Sequence, residues 1–467
     1  MEGTISFEWA AVSTEAVLAV SAAAILLMSA FGFGRRAKSL FAMFALVAAL
    51  AVQIFVPTAA APSFGGMLGG KSIFGVFVLA CAMLTSLMAF GYFAKGGRRG
   101  AEFFAVLMVC TASLMLFVRA ENLLLSFVAL ECATLCLYVM AAWSVSKPSS
   151  MEGAVKYLVI SGVSGAMFLM GLAFVYGAGL SCGRDLLSFA NFSSGLVRPM
   201  FVIGIVFVLG ASLFKLAAFP FQFWSPDVYQ GAPTPVSAFF AVASKAAGVV
   251  FLGKVCMSLD FASMGLSALH DKAVLAVSIV AGATIIVGNL GGITQVNASY
   301  LLVLVAAVLK FWSLGGMFEP VLYYYLAAYM FANYALFFAV NSFEGIDDYD
   351  QSLADYRGLS VRSPVMTGTL VVNLASLAGI PPTAGFFGKV LILIMAWNAQ
   401  LYWLMGIMIA GSVASIYYYF AWMRSAFDST EGGERRLGEN RVLYPTMAAL
   451  SVATFVLGVA VLCMYGI

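Results

Sequence analysis

The chain has 467 residues, of which 63% are hydrophobic and 10% are charged, and its mean hydropathy is +1.00. These values exclude a soluble globular domain and indicate an integral membrane protein. The formal net charge is only +3, so nucleic acid is not an expected partner.

Apolar stretches of about 20 residues, the length that a helix needs to cross the hydrocarbon core, recur along the whole chain. We therefore predict an all-α integral membrane protein. The first span follows an acidic N-terminal segment and is interpreted as a permanent helix. The fourteen predicted spans are 12–33, 39–57, 72–94, 101–118, 122–145, 153–179, 199–224, 232–257, 273–293, 299–317, 321–342, 364–397, 401–423 and 442–466.

The connections between these spans differ in their content of lysine and arginine. The even-numbered connections hold few: Lys71, Arg119, Arg184, Arg198 and Lys272. The odd-numbered connections hold most: Arg35, Arg36, Lys38, Lys95, Arg98, Arg99, Lys147, Arg357, Arg362, Arg424, Arg435, Arg436 and Arg441. The positive-inside rule then predicts a multi-pass protein of the bacterial inner membrane with both termini on the outer face.

Lysines, but almost no arginines, lie within the apolar stretches. A fixed charge there costs several kcal/mol. Arginine keeps its charge under all ordinary conditions, whereas a desolvated lysine can release its proton. This pattern predicts reversible protonation inside the membrane at Lys156, Lys215, Lys245, Lys310 and Lys389.

Glu131 lies near the middle of the fifth span, where a carboxylate needs a partner or a proton. Lys156 lies on the next span, which returns antiparallel after a short connection, so we expect the two side chains to meet. In an alternative interpretation, Lys156 extends to the cytoplasmic interface and Glu131 is a neutral hydrogen-bonding acid.

Two spans contain prolines that should break the helix beside a lysine. Pro220 follows Lys215, and Pro381 and Pro382 precede Lys389. The freed carbonyls would make polar pockets, which membranes tolerate only where protein or water surrounds them. Lys245 lies among small residues that allow close helix approach. Alternatively, each lysine is permanently paired with a carbonyl or a carboxylate.

The two breaks are five spans apart, which predicts two five-helix units that are inverted relative to each other because each holds an odd number of spans. We assign residues 101–257 and 273–423 to these units. Residues 1–100 would hold the first three spans, and 442–467 the last.

Redox ligands are sparse. The seven cysteines are scattered, and His270 is the sole histidine. Cys132 and Cys136 lie one helical turn apart, but no further cysteine cluster supplies the ligands of an iron–sulfur centre. We therefore predict neither a cofactor nor a metal in this chain.

Several motifs resemble the antiporter-like subunits of respiratory complex I. These are WSPDVYQGAPTPVSAFFAVASKAAG, GNLGGITQVN, DYRGLSVRSP and LAGIPPTAGFFGK, and the similarity spans roughly residues 100–400. The resemblance implies a proton-translocating membrane subunit of NADH:quinone oxidoreductase, a translocase driven by redox chemistry elsewhere. NADH, FMN, iron–sulfur clusters and quinone would belong to partner subunits, and the chain would contact other membrane subunits and lipid. The pumping residues that it implies are Glu131, Lys156, Lys215, Lys245 and Lys389.

The chain departs from this family in two places. Gln222 stands where the family usually has histidine, and Ser299, Tyr300, Ala306 and Leu309 replace a segment that usually includes a histidine. Lys310 falls beside that missing histidine. It is either a substitute relay group or a structural residue.

Two other function classes remain open. The chain could belong to a multisubunit cation/proton antiporter, which shares these motifs. It could also be a non-pumping subunit that scaffolds a larger assembly, in which case neutral substitution of the lysines would have little effect.

Overall fold

A computed structural model of the protein describes residues 12–56, 73–94, 100–120, 122–178, 197–259, 267–291, 296–310, 315–343, 353–428 and 443–465. Regular structure within these ranges is helical, which confirms the all-α prediction. The first seven helices are α1 (Ser13–Ala30), α2 (Arg35–Phe55), α3 (Ile73–Ala94), α4 (Gly100–Arg119), α5 (Leu123–Ala141), α6 (Pro148–Gly177) and α7 (Val197–Lys215).

The short helices α8 (Trp224–Gly231) and α9 (Thr234–Phe239) follow, and a π-helical segment, Phe240–Ser244, joins α9 to α10. A short 3-10 turn, Leu353–Tyr356, precedes α14. The remaining helices are α10 (Lys245–Ser258), α11 (Ser267–Leu290), α12 (Val296–Lys310), α13 (Gly315–Asn341), α14 (Leu359–Arg362), α15 (Pro364–Ala378), α16 (Ala384–Asn398), α17 (Tyr402–Phe427) and α18 (Leu443–Tyr465).

In the described ranges, eleven helices are long and apolar enough to cross a membrane. Four shorter apolar helices, α7, α12, α15 and α16, fall on the three other predicted spans. The fourteen predicted spans therefore all coincide with apolar helices. The division into two inverted units stays a prediction. The connections 95–99 and 429–442, which carry part of the charge bias, lie outside the described residues.

The segment formed by α9, the π-helical turn and α10 is the core of the molecule. Its span is wholly buried and packs against α3, α4, α12 and α13. A helix that is apolar on all sides is expected in such a position. Lys245 begins α10 directly after the π-helical turn, and such turns are frequent at functional sites.

Both predicted helix breaks are present. The helix α7 ends at Lys215, and Pro220 lies in the gap before α8. The helix α15 ends at Ala378, and Gly379 follows with φ 87°, a left-handed conformation that suits glycine. Because proline lacks an amide hydrogen and collides with the preceding turn, neither helix continues through the gap.

The tenth predicted span, 299–317, is described in part. Its described residues lie in α12, which covers Val296–Lys310, and at the start of α13, which begins at Gly315. Residues 311–314 lie outside the described residues.

Candidate proton-transfer site

Lys156 binds two carboxylates, but Glu131 is not one of them. Its Nζ lies 2.6 Å from Asp227 Oδ2 on α8 and 2.6 Å from Glu152 Oε1, one turn earlier on α6. The Lys156 side chain is 43% exposed, so this ion pair lies at the periphery of the helix bundle. The predicted pair between Glu131 and Lys156 is wrong for this conformation.

Glu131, on α5, contacts α6 at a level farther from the start of that helix than Lys156. A methyl group added to Gly165 would come within 2.6 Å of Glu131 Oε1, so the carboxylate packs against Gly165. Nine residues separate Gly165 from Lys156, a rise of about 13 Å along a helix. This offset explains why the predicted pair does not form. The Glu131 carboxylate instead interacts electrostatically with Lys215.

Lys215 is buried at the end of α7 between two hydroxyl groups. Its Nζ donates to Thr134 Oγ1 at 3.1 Å and to Tyr157 Oη at 3.4 Å. Thr134 lies about one turn beyond Glu131 on α5, and Tyr157 directly follows Lys156 on α6. Lys215 is therefore the point where the helix bearing Glu131 and the helix bearing Lys156 meet.

Lys245 is buried and close to the same region. A methyl group on Gly248, one turn later on α10, would lie 3.3 Å from Lys215 Cβ. Lys245 Nζ has no hydrogen-bond partner among the described residues. It lies 5.2 Å from the ring centroid of Tyr229, within the range of a cation–π contact.

Lys389 occupies the break between α15 and α16. Its Nζ donates to Leu377 O at 2.8 Å and to Ala378 O at 3.0 Å. Carbonyls in the last turn of a helix lack partners within it, and they favour a positive charge. The Nζ also lies 5.1 Å from the ring centroid of Tyr300. The broken helix therefore supplies the polar pocket that the prolines predict.

A small cavity lies beside Lys389, with room for about one water molecule. It is lined by residues of α13, α15 and α16: Tyr325, Ala328, Tyr329, Ser376, Leu377, Gly385 and Lys389. The cavity therefore lies between α13, α15 and α16, next to Lys389.

Lys310 is set apart from the buried lysines. Its partly exposed side chain reaches Gln400 O at 3.5 Å, in the connection between α16 and α17. The neighbouring Leu309 O lies 2.8 Å from His270 Nε2. Lys310 and the sole histidine thus share one end of the helix bundle. The alternatives of relay and structural residue both stay predictions.

Sequence reasoning missed several polar side chains that touch the lysines. Asp227 was visible as the acid in the motif WSPDVYQG, but nothing in its spacing indicated Lys156 as its partner. Thr134 and Tyr157 are single polar residues within apolar helices, and only the rotation of those helices points them at Lys215. Tyr300 was noted as a departure from the family pattern, yet its ring faces Lys389.

Lys254, near the end of α10, is also buried. Its Nζ donates to Val118 O at 3.0 Å and to Ala120 O at 2.7 Å, at the end of α4. The adjacent Arg119 pairs with Glu15 of α1 at 2.9 Å. These contacts tie α1, α4 and α10 together, which is a structural role.

The chemistry available to this arrangement is proton transfer. Three buried amines, at Lys215, Lys245 and Lys389, are surrounded by hydroxyls, carbonyls and rings, and none of them forms an ion pair within the described residues. In the part of the chain that the structure describes, no group of three or more His, Cys, Asp or Glu side chains is arranged to hold a metal ion.

Comparison with known proteins gives consistent matches. Residues 120–415 match the family described as NADH:quinone oxidoreductase/Mrp antiporter, transmembrane. NADH-quinone oxidoreductase subunit N 1 of Opitutus terrae is 36% identical over 373 residues, which cover 76% of this chain and 72% of that protein.

Solved structures show the same fold. A chain of respiratory complex I from Thermus thermophilus aligns with a TM-score of 0.76 and 26% identity, covering 95% of this chain and 96% of that one. A chain of the Mrp complex from a Dietzia species also aligns with a TM-score of 0.76, at 17% identity, covering 97% of this chain and 95% of that one. The second likeness concerns the fold alone.

Proposed function

The chain belongs to the NADH:quinone oxidoreductase/Mrp antiporter transmembrane family, and we propose that it is a proton-translocating membrane subunit of an NADH:quinone oxidoreductase. The observation that carries this proposal is the burial of Lys215, Lys245 and Lys389 inside the membrane helices without a fixed counter-ion among the described residues. A permanently charged lysine is costly there, whereas one that exchanges its proton serves translocation.

In the proposed mechanism, charges near Lys215 control its protonation. Glu131 stabilises the ammonium form, while Asp227 and Glu152 hold the positive charge of Lys156 at the periphery. Two unit charges about 4 Å apart in an effective dielectric near 20 interact by about 4 kcal/mol. If the Lys156 side chain leaves Asp227 and its amine moves closer to Lys215, the positive charge of Lys156 repels the ammonium of Lys215. That repulsion favours release of the proton from Lys215.

The released proton passes to Lys245 and then to Lys389. Gly248 brings α10 against the base of the Lys215 side chain, which supports the first transfer. The carbonyls of Leu377 and Ala378 stabilise the ammonium form of Lys389 on arrival. Because the three lysines titrate together, a substitution at one of them changes how often each of the others carries a proton.

The energy for this cycle comes from partner subunits. NADH, FMN, iron–sulfur clusters and quinone would lie in those subunits, and conformational or electrostatic coupling would move Lys156. The two five-helix units, 101–257 and 273–423, would supply half-channels from opposite sides of a bacterial inner membrane. The family match and the 36% identity to a subunit N support this assignment.

Identification of the proteins that co-purify with this chain tests the assignment. Redox subunits that oxidise NADH and reduce quinone are expected in the purified complex. Co-purification with antiporter subunits alone, together with sodium-dependent proton exchange and no quinone-linked activity, would instead favour a cation/proton antiporter. The cation/proton antiporter stays a second candidate function because the description of the matching family includes Mrp antiporters.

A further inference from the structure

The transfer between Lys245 and Lys389 lacks an obvious carrier. The family's histidine is absent from this region, and the partly exposed side chain of Lys310 contacts Gln400 O. The two lysines lie on different helices. Lys245 begins α10 after the π-helical turn, and Lys389 is on α16, which follows the gap after α15. A proton that crosses from one to the other needs polar groups in the packed interior between them.

Tyr229 provides the first such group. Its ring faces Lys245 Nζ at 5.2 Å. Its hydroxyl is buried and has no hydrogen-bond partner among the described residues. A buried hydroxyl without a partner is costly, and this one belongs to the residue whose ring contacts Lys245, so it is available to exchange a proton.

Tyr329 provides the second group. It lies on α13, and its buried hydroxyl has no hydrogen-bond partner in the described part of the chain. The helix α13 packs against α9 and the π-helical turn that precedes Lys245, and Tyr329 interacts electrostatically with Tyr229 of α8. Tyr329 also lines the small cavity that adjoins Lys389. Tyr229 therefore contacts one lysine, Lys245, and Tyr329 lines the cavity beside the other, Lys389.

We propose that the hydroxyls of Tyr229 and Tyr329, together with water in the adjoining cavity, carry protons from Lys245 to Lys389. This inference rests on the proposed function, because it assigns the carriers for one of its steps. Tyrosine hydroxyls both donate and accept hydrogen bonds, so they can take the place of the missing histidine without a fixed charge.

The transfer balances without any change in the tyrosines. The ammonium of Lys245 gives one proton to the oxygen of the first carrier, which passes its own hydrogen to the next carrier. The last carrier gives a proton to the neutral amine of Lys389. Lys245 ends neutral, Lys389 ends as an ammonium, and each hydroxyl again holds one hydrogen.

The variant Tyr329→Phe tests this inference in the complete complex reconstituted into vesicles. It removes the hydroxyl and keeps the ring. We expect NADH-driven proton pumping to fall about tenfold or more, to the level of Lys245→Met in the same preparation. Tyr229→Phe should have a similar effect. The double variant should be no worse than either single one, because groups in series act as a unit.

The matched control is Tyr323→Phe. Tyr323 is on the same helix, its hydroxyl is also buried, and it does not line the cavity. This control should pump normally. NADH oxidation by a water-soluble acceptor and the yield of assembled complex should stay unchanged in all variants, which separates relay loss from misassembly.

The outcomes distinguish the inference from the function on which it rests. Normal pumping by both tyrosine variants, with loss in Lys245→Met and Lys389→Met, would overturn the tyrosine route and leave the proposed function intact. Normal pumping by the two lysine variants as well would overturn the proposed function. Loss of pumping in Lys310→Met alone would return the relay role to Lys310.

Discussion

The buried lysines differ in what surrounds each amine. Lys215 has two hydroxyls, Lys389 has two carbonyls, and Lys245 has an aromatic ring. The presence of lysines in apolar helices was predictable, because composition and spacing show it. The partners were not, since they depend on the rotation and offset of each helix. Lys156 pairs with Asp227 for that reason, although Glu131 is closer in sequence.

The contrast between Lys389 and Lys245 gives a prediction about stability. Lys389→Met leaves two buried carbonyls without their donor and should cost about 1–3 kcal/mol. Lys245→Met loses no hydrogen bond among the described residues and removes a buried amine, so it should be neutral or stabilising. Thermal unfolding in detergent measures both. Equal destabilisation by the two substitutions would contradict the assigned contacts.

Asp227 and Glu152 both contact Lys156, but they should differ in function. Asp227 ties α6 to the segment after the helix break, whereas Glu152 is on the same helix as Lys156 and is 65% exposed. We expect Asp227→Asn to reduce proton pumping by reconstituted complex much more than Glu152→Gln does. If the two variants pump equally, Asp227 has no special part in controlling Lys156.

At the scale of elements, the broken helices define the site. The prolines predicted both gaps, because the loss of an amide hydrogen is a local effect. The close contacts at the gap between α15 and α16 could not be predicted from the sequence, because they depend on which part of the backbone packs against a glycine. A methyl group on Gly385 would overlap Ser376 O, and one on Gly458 of α18 would overlap Pro382 O.

These contacts predict the effect of adding one methyl group. Gly385→Ala forces α16 away from α15 and should destabilise the protein by about 1–3 kcal/mol while reducing pumping. The matched control is Gly368→Ala on α15, where the added methyl group meets no atom within 4 Å. Thermal unfolding in detergent and pumping assays provide the measurements. Tolerance of Gly385→Ala would mean that the gap is looser than the structure shows.

At the scale of the whole molecule, the fourteen spans were predictable because each is an apolar stretch long enough to cross the hydrocarbon core. The orientation in the membrane stays a prediction from the distribution of lysine and arginine among the connections. It assigns each exposed connection to the cytoplasmic or the outer face.

Cysteine labelling tests this orientation. Ser146, in the connection between α5 and α6, is expected to face the cytoplasm, and Gln400, between α16 and α17, is expected to face outward; both are exposed. In intact cells a membrane-impermeant maleimide should label Gln400→Cys and spare Ser146→Cys, with the unsubstituted chain as background. The reverse result would invert the direction of the proposed proton path.

The central claim is that Lys215 must lose and regain its proton, and the most direct test is proton pumping by the Lys215→Arg complex in reconstituted vesicles. Arginine keeps the positive charge but does not release its proton under these conditions. The account predicts that Lys215→Arg, like Lys215→Ala and Glu131→Ala, inserts and assembles but does not pump. Normal pumping by Lys215→Arg would contradict it, because a fixed charge would then suffice.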